Sequence, residues 1–325
     1  MINLLRLLSP LLVVLPLLAA DYDPLSLPTA GPVVSRNVEV ADDKRNRRIP
    51  LRLYLPATTA ASPIVLFSHG LGGSREGNAF MGEHWAARGY VCVFLQHPGS
   101  DEGVWMDVPR PQRLAAMRAA ASLENFNLRV GDVTAVLDQL ALWQNDKGHD
   151  LHGRLDLTRI GMSGHSFGAG TTQAVSGQRF GLRSLTDARI RAAIAFSPSS
   201  PGNRGDPATA FGKIGIPWLL MTGTHDTAVI STEQTPATRR EVYRALPANG
   251  SAYELVLDQA EHSAFTDRTL PADILPRNPN HHRAMLAIST AFWDAWLRQD
   301  AAARAWLDGD GPRGVVQTAD VWQRK

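Results

Sequence analysis

Cysteine is nearly absent: Cys92 is the only one in 325 residues, so no disulfide can form within the chain. An excess of charge is absent too. With 33 basic and 31 acidic side chains the net charge is +2, which supplies no broad electrostatic footprint for nucleic acid. Clusters at metal-ligand spacing are missing as well. His97, Asp101 and Glu102 share one polar connection without a further partner, and His281-His282 read as loop residues, so neither a metal nor a cofactor is expected. The chain has no internal repeat and no low-complexity segment. A targeting pattern is present at the start: Arg6, then an apolar run over residues 7–18 broken by Ser9, Pro10 and Pro16, then Ala19-Ala20. This order predicts a signal peptide over 1–20, export to the periplasm or the medium, and a mature chain starting at Asp21 without a stable membrane span. An uncleaved anchor is the alternative, weakened by the two prolines.

What is present is enough apolar material for one sizeable core. At 44% hydrophobic content, residues 21–325 are expected to form a single domain. Strand and helix patterns alternate. Strands are predicted near 38–40, 51–55, 64–67 and 90–95, at the run before Ser166, at 192–196, before Asp226 and before His262. Helices are predicted near 78–88, 113–121, 128–143, after Ser166, and at 238–246, 282–297 and 302–307, with a polar tail to Lys325. That alternation implies an α/β fold: a mostly parallel, doubly wound sheet covered by helices on both faces.

Gly164-His165-Ser166-Phe167-Gly168 fits Gly-x-Ser-x-Gly, the pattern of a strand that turns sharply into a helix with a strained serine at the corner. Ser166 is therefore the candidate nucleophile. The pattern has a real chance rate, so three further segments carry weight. Residues 64–73 run from an apolar strand into a glycine-rich turn, which can aim a backbone N–H at a developing oxyanion; Leu71 and Phe167 are the candidate donors. Residues 216–226 form an apolar run ending in Asp226, the best acid for the chain order Ser, acid, His. Residues 253–265 bring an alternating strand to His262, the candidate base. A serine hydroxyl is a poor nucleophile at neutral pH, so it needs a base to take its proton and an acid to orient that base.

Competing residues have plainer readings. His69 is expected to hydrogen-bond the glycine-rich turn, His225 to be a loop residue, and Asp258 and Glu261 to be solvated. Ser163 lacks the flanking glycines and falls at the strand end. Arg45 with Arg47 and Arg48, and Arg239 with Arg240, read as solvated turn and helix faces. Cys92 reads as a buried strand residue. Among the aromatics, Phe167, Phe196, Trp218 and Phe265 fit core packing, whereas Trp105, in the polar connection over 97–111, is the tentative substrate contact.

Phe67-Ser68-His69-Gly70-Leu71-Gly72 and Gly164-His165-Ser166-Phe167-Gly168 together resemble the platelet-activating factor acetylhydrolase group of the α/β-hydrolase superfamily, over about residues 63–297. Dienelactone hydrolases and bacterial polyester hydrolases have a similar general layout. Two departures narrow what the resemblance implies. The acetylhydrolase group has its acid on the preceding strand, but Phe196-Ser197-Pro198-Ser199-Ser200 holds no carboxylate. Dienelactone hydrolases typically use cysteine where this chain has Ser166. The expectation is a serine carboxylic-ester hydrolase that works through an acyl-enzyme on small or short-acyl esters. Lipase, polyester hydrolase, acyltransferase and thioesterase activity would use the same site. The alternative of another class is a hydrolase-fold binding protein without catalysis.

Overall fold

A computed structural model of the chain describes residues 22–27, 31–228, 230–231, 233–270 and 272–325; the expected signal peptide over 1–20 lies outside them. In chain order the elements are β1 (Val34–Asp42), β2 (Arg47–Leu55), β3 (Ser62–Ser68), α1 (Ala79–Ala87), β4 (Val91–Leu95), α2 (Arg113–Ala120), α3 (Leu123–Asn145), β5 (Leu155–His165), α4 (Phe167–Val175), the hairpin β6 (Arg179–Phe180) and β7 (Arg183–Ser184), β8 (Ile190–Phe196), α5 (Pro207–Phe211), β9 (Trp218–His225), α6 (Pro236–Ala245), β10 (Ala252–Glu261), α7 (Pro279–Leu297), α8 (Ala301–Asp308) and β11 (Val321–Arg324).

Apart from the small hairpin, the described strands form one sheet in the order β1-β2-β4-β3-β5-β8-β9-β10-β11. From β4 to β10 neighbouring strands run parallel, while β1 with β2, β2 with β4, and β10 with β11 are antiparallel. Central strands of this kind are covered on both faces and read as continuous apolar runs. β3 shows why: Ile64 and Leu66 enter one core with Val133 and Leu137 of α3, and Val65 and Phe67 enter the other with Trp85 of α1 and Trp293 of α7. The period-two alternation of side chains across the pleat produces this division. Cys92, in β4, is buried as expected.

Two helices start earlier than the apolar pattern indicates, because their caps lie upstream. Ser122 accepts a hydrogen bond from the Asn125 N–H and starts α3, and Asn278 followed by Pro279 starts α7. His281 and His282 thus lie in a helix rather than a loop. The polar tail is also corrected. Val321–Arg324 pairs antiparallel with residues 253–256 of β10, Trp322 stacks on Tyr253 at 5.7 Å, and the Gln323 amide donates to the buried Glu254 carboxylate. An edge strand needs partners on one side only, so it can be short and polar. No helix among the described residues is long and apolar enough to cross a membrane.

Candidate active site

β5 delivers Gly164 and His165 to the carboxyl edge of the sheet, and α4 begins at Phe167. Ser166, between them, has φ 57° and ψ −114°, a conformation that costs a non-glycine residue and persists only where its surroundings enforce it. The flanking glycines are demanded by space. A Cβ on Gly164 would lie 2.4 Å from the Gly168 carbonyl oxygen, and one on Gly168 would lie 1.9 Å from that of Ser68. The turn is therefore packed backbone to backbone between β5, α4 and the end of β3.

β9 and β10 end beside this corner. Their close approach depends on Gly223, where a Cβ would sit 2.1 Å from the Ala260 carbonyl oxygen. Asp226 follows β9, and His262 opens the short turn after β10. His262 Nε2 is 2.8 Å from Ser166 Oγ, and its Nδ1 is 2.7 Å from Asp226 Oδ1. With Nδ1–H donating to the carboxylate, the Nε2 lone pair faces the serine hydroxyl. The His165 side chain fixes the same loop by a 3.1 Å hydrogen bond from Nε2 to the His262 carbonyl.

Asp226 is fully buried and also accepts from Thr222 Oγ1 at 2.8 Å. Burial alone would raise its pKa, but the Arg239 charge and then the His262 imidazole more than reverse this, so the carboxyl stays well below the ordinary range. Arg239 corrects the expectation of a solvated helix face. It is 1% exposed, its Nε lies 3.0 Å from Asp226 Oδ1, and its Nη1 donates to the Ser197 and Pro198 carbonyls at 2.9 Å. Where the sequence offers no acid after β8, backbone carbonyls meet a guanidinium. Its neighbour Arg240 pairs with buried Glu254 at 2.9 Å.

The turn after β3 lies against the same corner: a Cβ on Gly70 would be 3.5 Å from Ser166 Cβ. The Gly70 carbonyl accepts from the Gly73 N–H at 3.0 Å, and the Gly72 N–H donates to the Ser100 carbonyl at 2.9 Å. Gly72 needs a positive φ of 68°. Trp105 donates its indole N–H to the Gly72 carbonyl at 2.8 Å, so its polar atom is committed to the turn. His69 accepts from the His97 backbone N–H at Nε2, which leaves Nδ1–H to donate to the Gly70 carbonyl at 2.7 Å. Burial above all, and then the Arg129 charge, keep this ring neutral far below its usual pKa.

Beneath the turn lies a second serine-histidine-aspartate array that sequence reasoning missed. Ser68 Oγ is 2.9 Å from His97 Nε2, and His97 Nδ1 is 2.9 Å from Asp132 Oδ2. All three residues are sealed from solvent. His97 is thus a core group and not the loop residue its neighbours suggested. Burial lowers its pKa to about 4. Asp132 is lowered to about 2, because hydrogen bonds from His97 and Arg47 outweigh the burial that opposes them. Arg45 and Arg47, expected in solvent, both reach Asp132, at 3.0 and 2.6 Å. The legible signal was on α3, where Arg129 and Asp132 sit three apart beside the buried Val130, Val133 and Leu137. Charges on an apolar helix face need buried partners.

The other weighed residues are dispersed. His225 is the exposed last residue of β9. Asp258 accepts from Thr224 Oγ1 at 3.3 Å, and Glu261 takes the N–H groups of Ile274 and Leu275, at 3.0 to 3.2 Å, in place of water. His282 stacks on Phe80 at 4.1 Å. Ser163 donates to the Leu66 carbonyl inside the sheet. Phe196, Trp218 and Phe265 are core residues, whereas Phe167 is partly open with Arg129 over its ring at 4.6 Å.

No protein-family model matches the chain. It is 25% identical over 213 residues to Cutinase 2 of Thermobifida cellulosilytica, covering 65% of this chain and 64% of that protein. A cutinase of Thermobifida fusca is also 25% identical over 213 residues, with 65% and 53% covered. The quorum-quenching protein AidA of Acinetobacter baumannii is 24% identical over 168 residues, with 51% and 45% covered. The chain thus spans between about half and two thirds of the length of these relatives. Together with the parallel sheet these similarities identify the α/β-hydrolase fold.

Proposed function

We propose that the chain is a serine carboxylic-ester hydrolase with Ser166 as nucleophile, His262 as general base and Asp226 as the acid that orients it. The observation that carries this is the pair of contacts on one imidazole, 2.8 Å to Ser166 Oγ and 2.7 Å to Asp226 Oδ1, with the serine held on a strained corner. His262 takes the hydroxyl proton as Oγ attacks the ester carbonyl, and Asp226 stabilises the imidazolium. The Leu71 and Phe167 amides hold the negative oxygen, each worth about 3 kcal/mol in comparable sites. His262 then returns the proton to the departing alcohol. Water activated by the same imidazole releases the acid from the acyl-enzyme.

Small or short-acyl esters are our first substrate class. A second reading, polyester hydrolysis, is favoured by one observation: the curated relatives include several named cutinases. A panel of p-nitrophenyl esters of increasing acyl length, with a phospholipid and a polyester film beside it, separates these readings. Absence of turnover, together with absence of phosphonate labelling at Ser166, would leave a binding protein. We further propose that residues 21–325 act as one catalytic domain exported by the 1–20 segment. The continuous sheet from β1 to β11 supports the first part, and the basic-apolar-small pattern of the segment supports the second.

A further inference from the structure

We propose that Arg129 is a positioning residue of the oxyanion hole, setting the Leu71 N–H through the Gly70 carbonyl and the Phe167 amide through its ring. The inference rests on the ester-hydrolase reading above. In a trans peptide the carbonyl and the N–H point to opposite sides, so whatever holds the Gly70 oxygen also aims the Leu71 hydrogen. That oxygen is held on the core side by the His69 imidazole at 2.7 Å, the Gly73 N–H at 3.0 Å and Arg129 Nη2 at 3.4 Å. The Leu71 N–H is thereby turned away from the core.

Arg129 is fully buried on α3 and also donates to the His69 carbonyl at 2.7 Å. Its guanidinium lies over the Phe167 ring, so one rigid group reaches the Gly70–Leu71 peptide through its carbonyl and the side chain of the other proposed donor residue. Its own seat is fixed by Ser100 Oγ at 2.8 Å and Ser68 Oγ at 3.3 Å, and Ser68 is anchored in turn by His97 and Asp132. Its hydrogen-bond acceptors are carbonyls and hydroxyls, whereas the Asp132 carboxylate is spent on His97, Arg45 and Arg47. A buried cation bonded to neutral groups is costly, and an apolar side chain would fill the space more cheaply. What the cation adds is a fixed positive field behind the Gly70–Leu71 peptide, where low dielectric makes it count.

The test compares wild type, Arg129→Lys and Ser100→Ala on a p-nitrophenyl ester and on a trifluoromethyl ketone, whose hemiketal oxygen occupies the hole. We expect Arg129→Lys to lower kcat by about 10² with KM within about twofold, and to weaken the ketone by the same factor. Ser100→Ala should show the same pattern at about fivefold. A folded Arg129→Lys with unchanged kcat, a loss expressed only in KM, or a fall in kcat with unchanged ketone affinity would overturn the proposal alone. If Arg129→Lys does not fold, Ser100→Ala decides, and its unchanged kcat overturns the proposal. Wild type without turnover or labelling of Ser166 overturns the hydrolase reading and this inference with it.

Discussion

Asp226 sits between an imidazole and a guanidinium, and the two contacts have different consequences. Asp226→Asn should lower kcat by about 10⁴ through loss of the right imidazole tautomer, and Ser166→Ala by about 10⁴ to 10⁶. Steady-state ester hydrolysis measures both, with His225→Ala as the control that should stay near wild type. Arg239→Gln should instead act first on folding, because it leaves a buried carboxylate without its cation; urea unfolding should show a loss of about 3–5 kcal/mol. Ser166, Asp226 and His262 were legible in the sequence because each ends an apolar run in the right chain order. Arg239, Arg129 and His97 were not. Their neighbours are polar, and nothing local shows that a helix or turn will press these particular side chains into the core.

At the scale of elements, the corner after β5 allows no additional atom. Gly168→Ala would drive a methyl into the Ser68 carbonyl, so the serine turn and the end of β3 must separate; we expect at least about 10²-fold loss of kcat even where circular dichroism shows native helix content. β11 belongs to stability. Deleting residues 321–325 exposes the β10 edge and removes the Trp322–Tyr253 stack, which should cost roughly 2–4 kcal/mol by denaturant unfolding while kcat of the folded fraction stays within about twofold. The central strands were readable because burial on both faces makes them continuous apolar runs. β11 and the β6–β7 hairpin were hidden, since short edge strands satisfy one neighbour and carry no periodic signal. Helix starts slipped for a related reason: Ser122 and Asn278 set them by capping, several residues ahead of the apolar stripe.

Across the whole molecule, His69, His97 and His165 are buried with pKa values depressed first by burial. An unfolded chain takes protons on these rings from about pH 6.5 downward, whereas the folded chain resists until about pH 4 at His97 and until well below pH 6.5 at His69 and His165. Stability should therefore fall as pH drops through that interval, by up to about 1.4 kcal/mol per ring and pH unit. Below it the depressed Asp132 and Asp226 carboxyls extend the decline, because their contribution is present above the unfolded carboxyl pKa and is lost as they protonate. Melting temperature measured from pH 8 to 4 should decline early, and a flat profile down to pH 5 would contradict this. The sealed array of Ser68, His97 and Asp132 carries one more consequence. A search by interatomic distance alone would score this molecule as having two catalytic centres, because the wiring is the same in both. Only one of them has a serine partly open to solvent on a bent main chain, whereas the other is sealed in the core, so geometry matching without accessibility would count a buried structural array as a second candidate site.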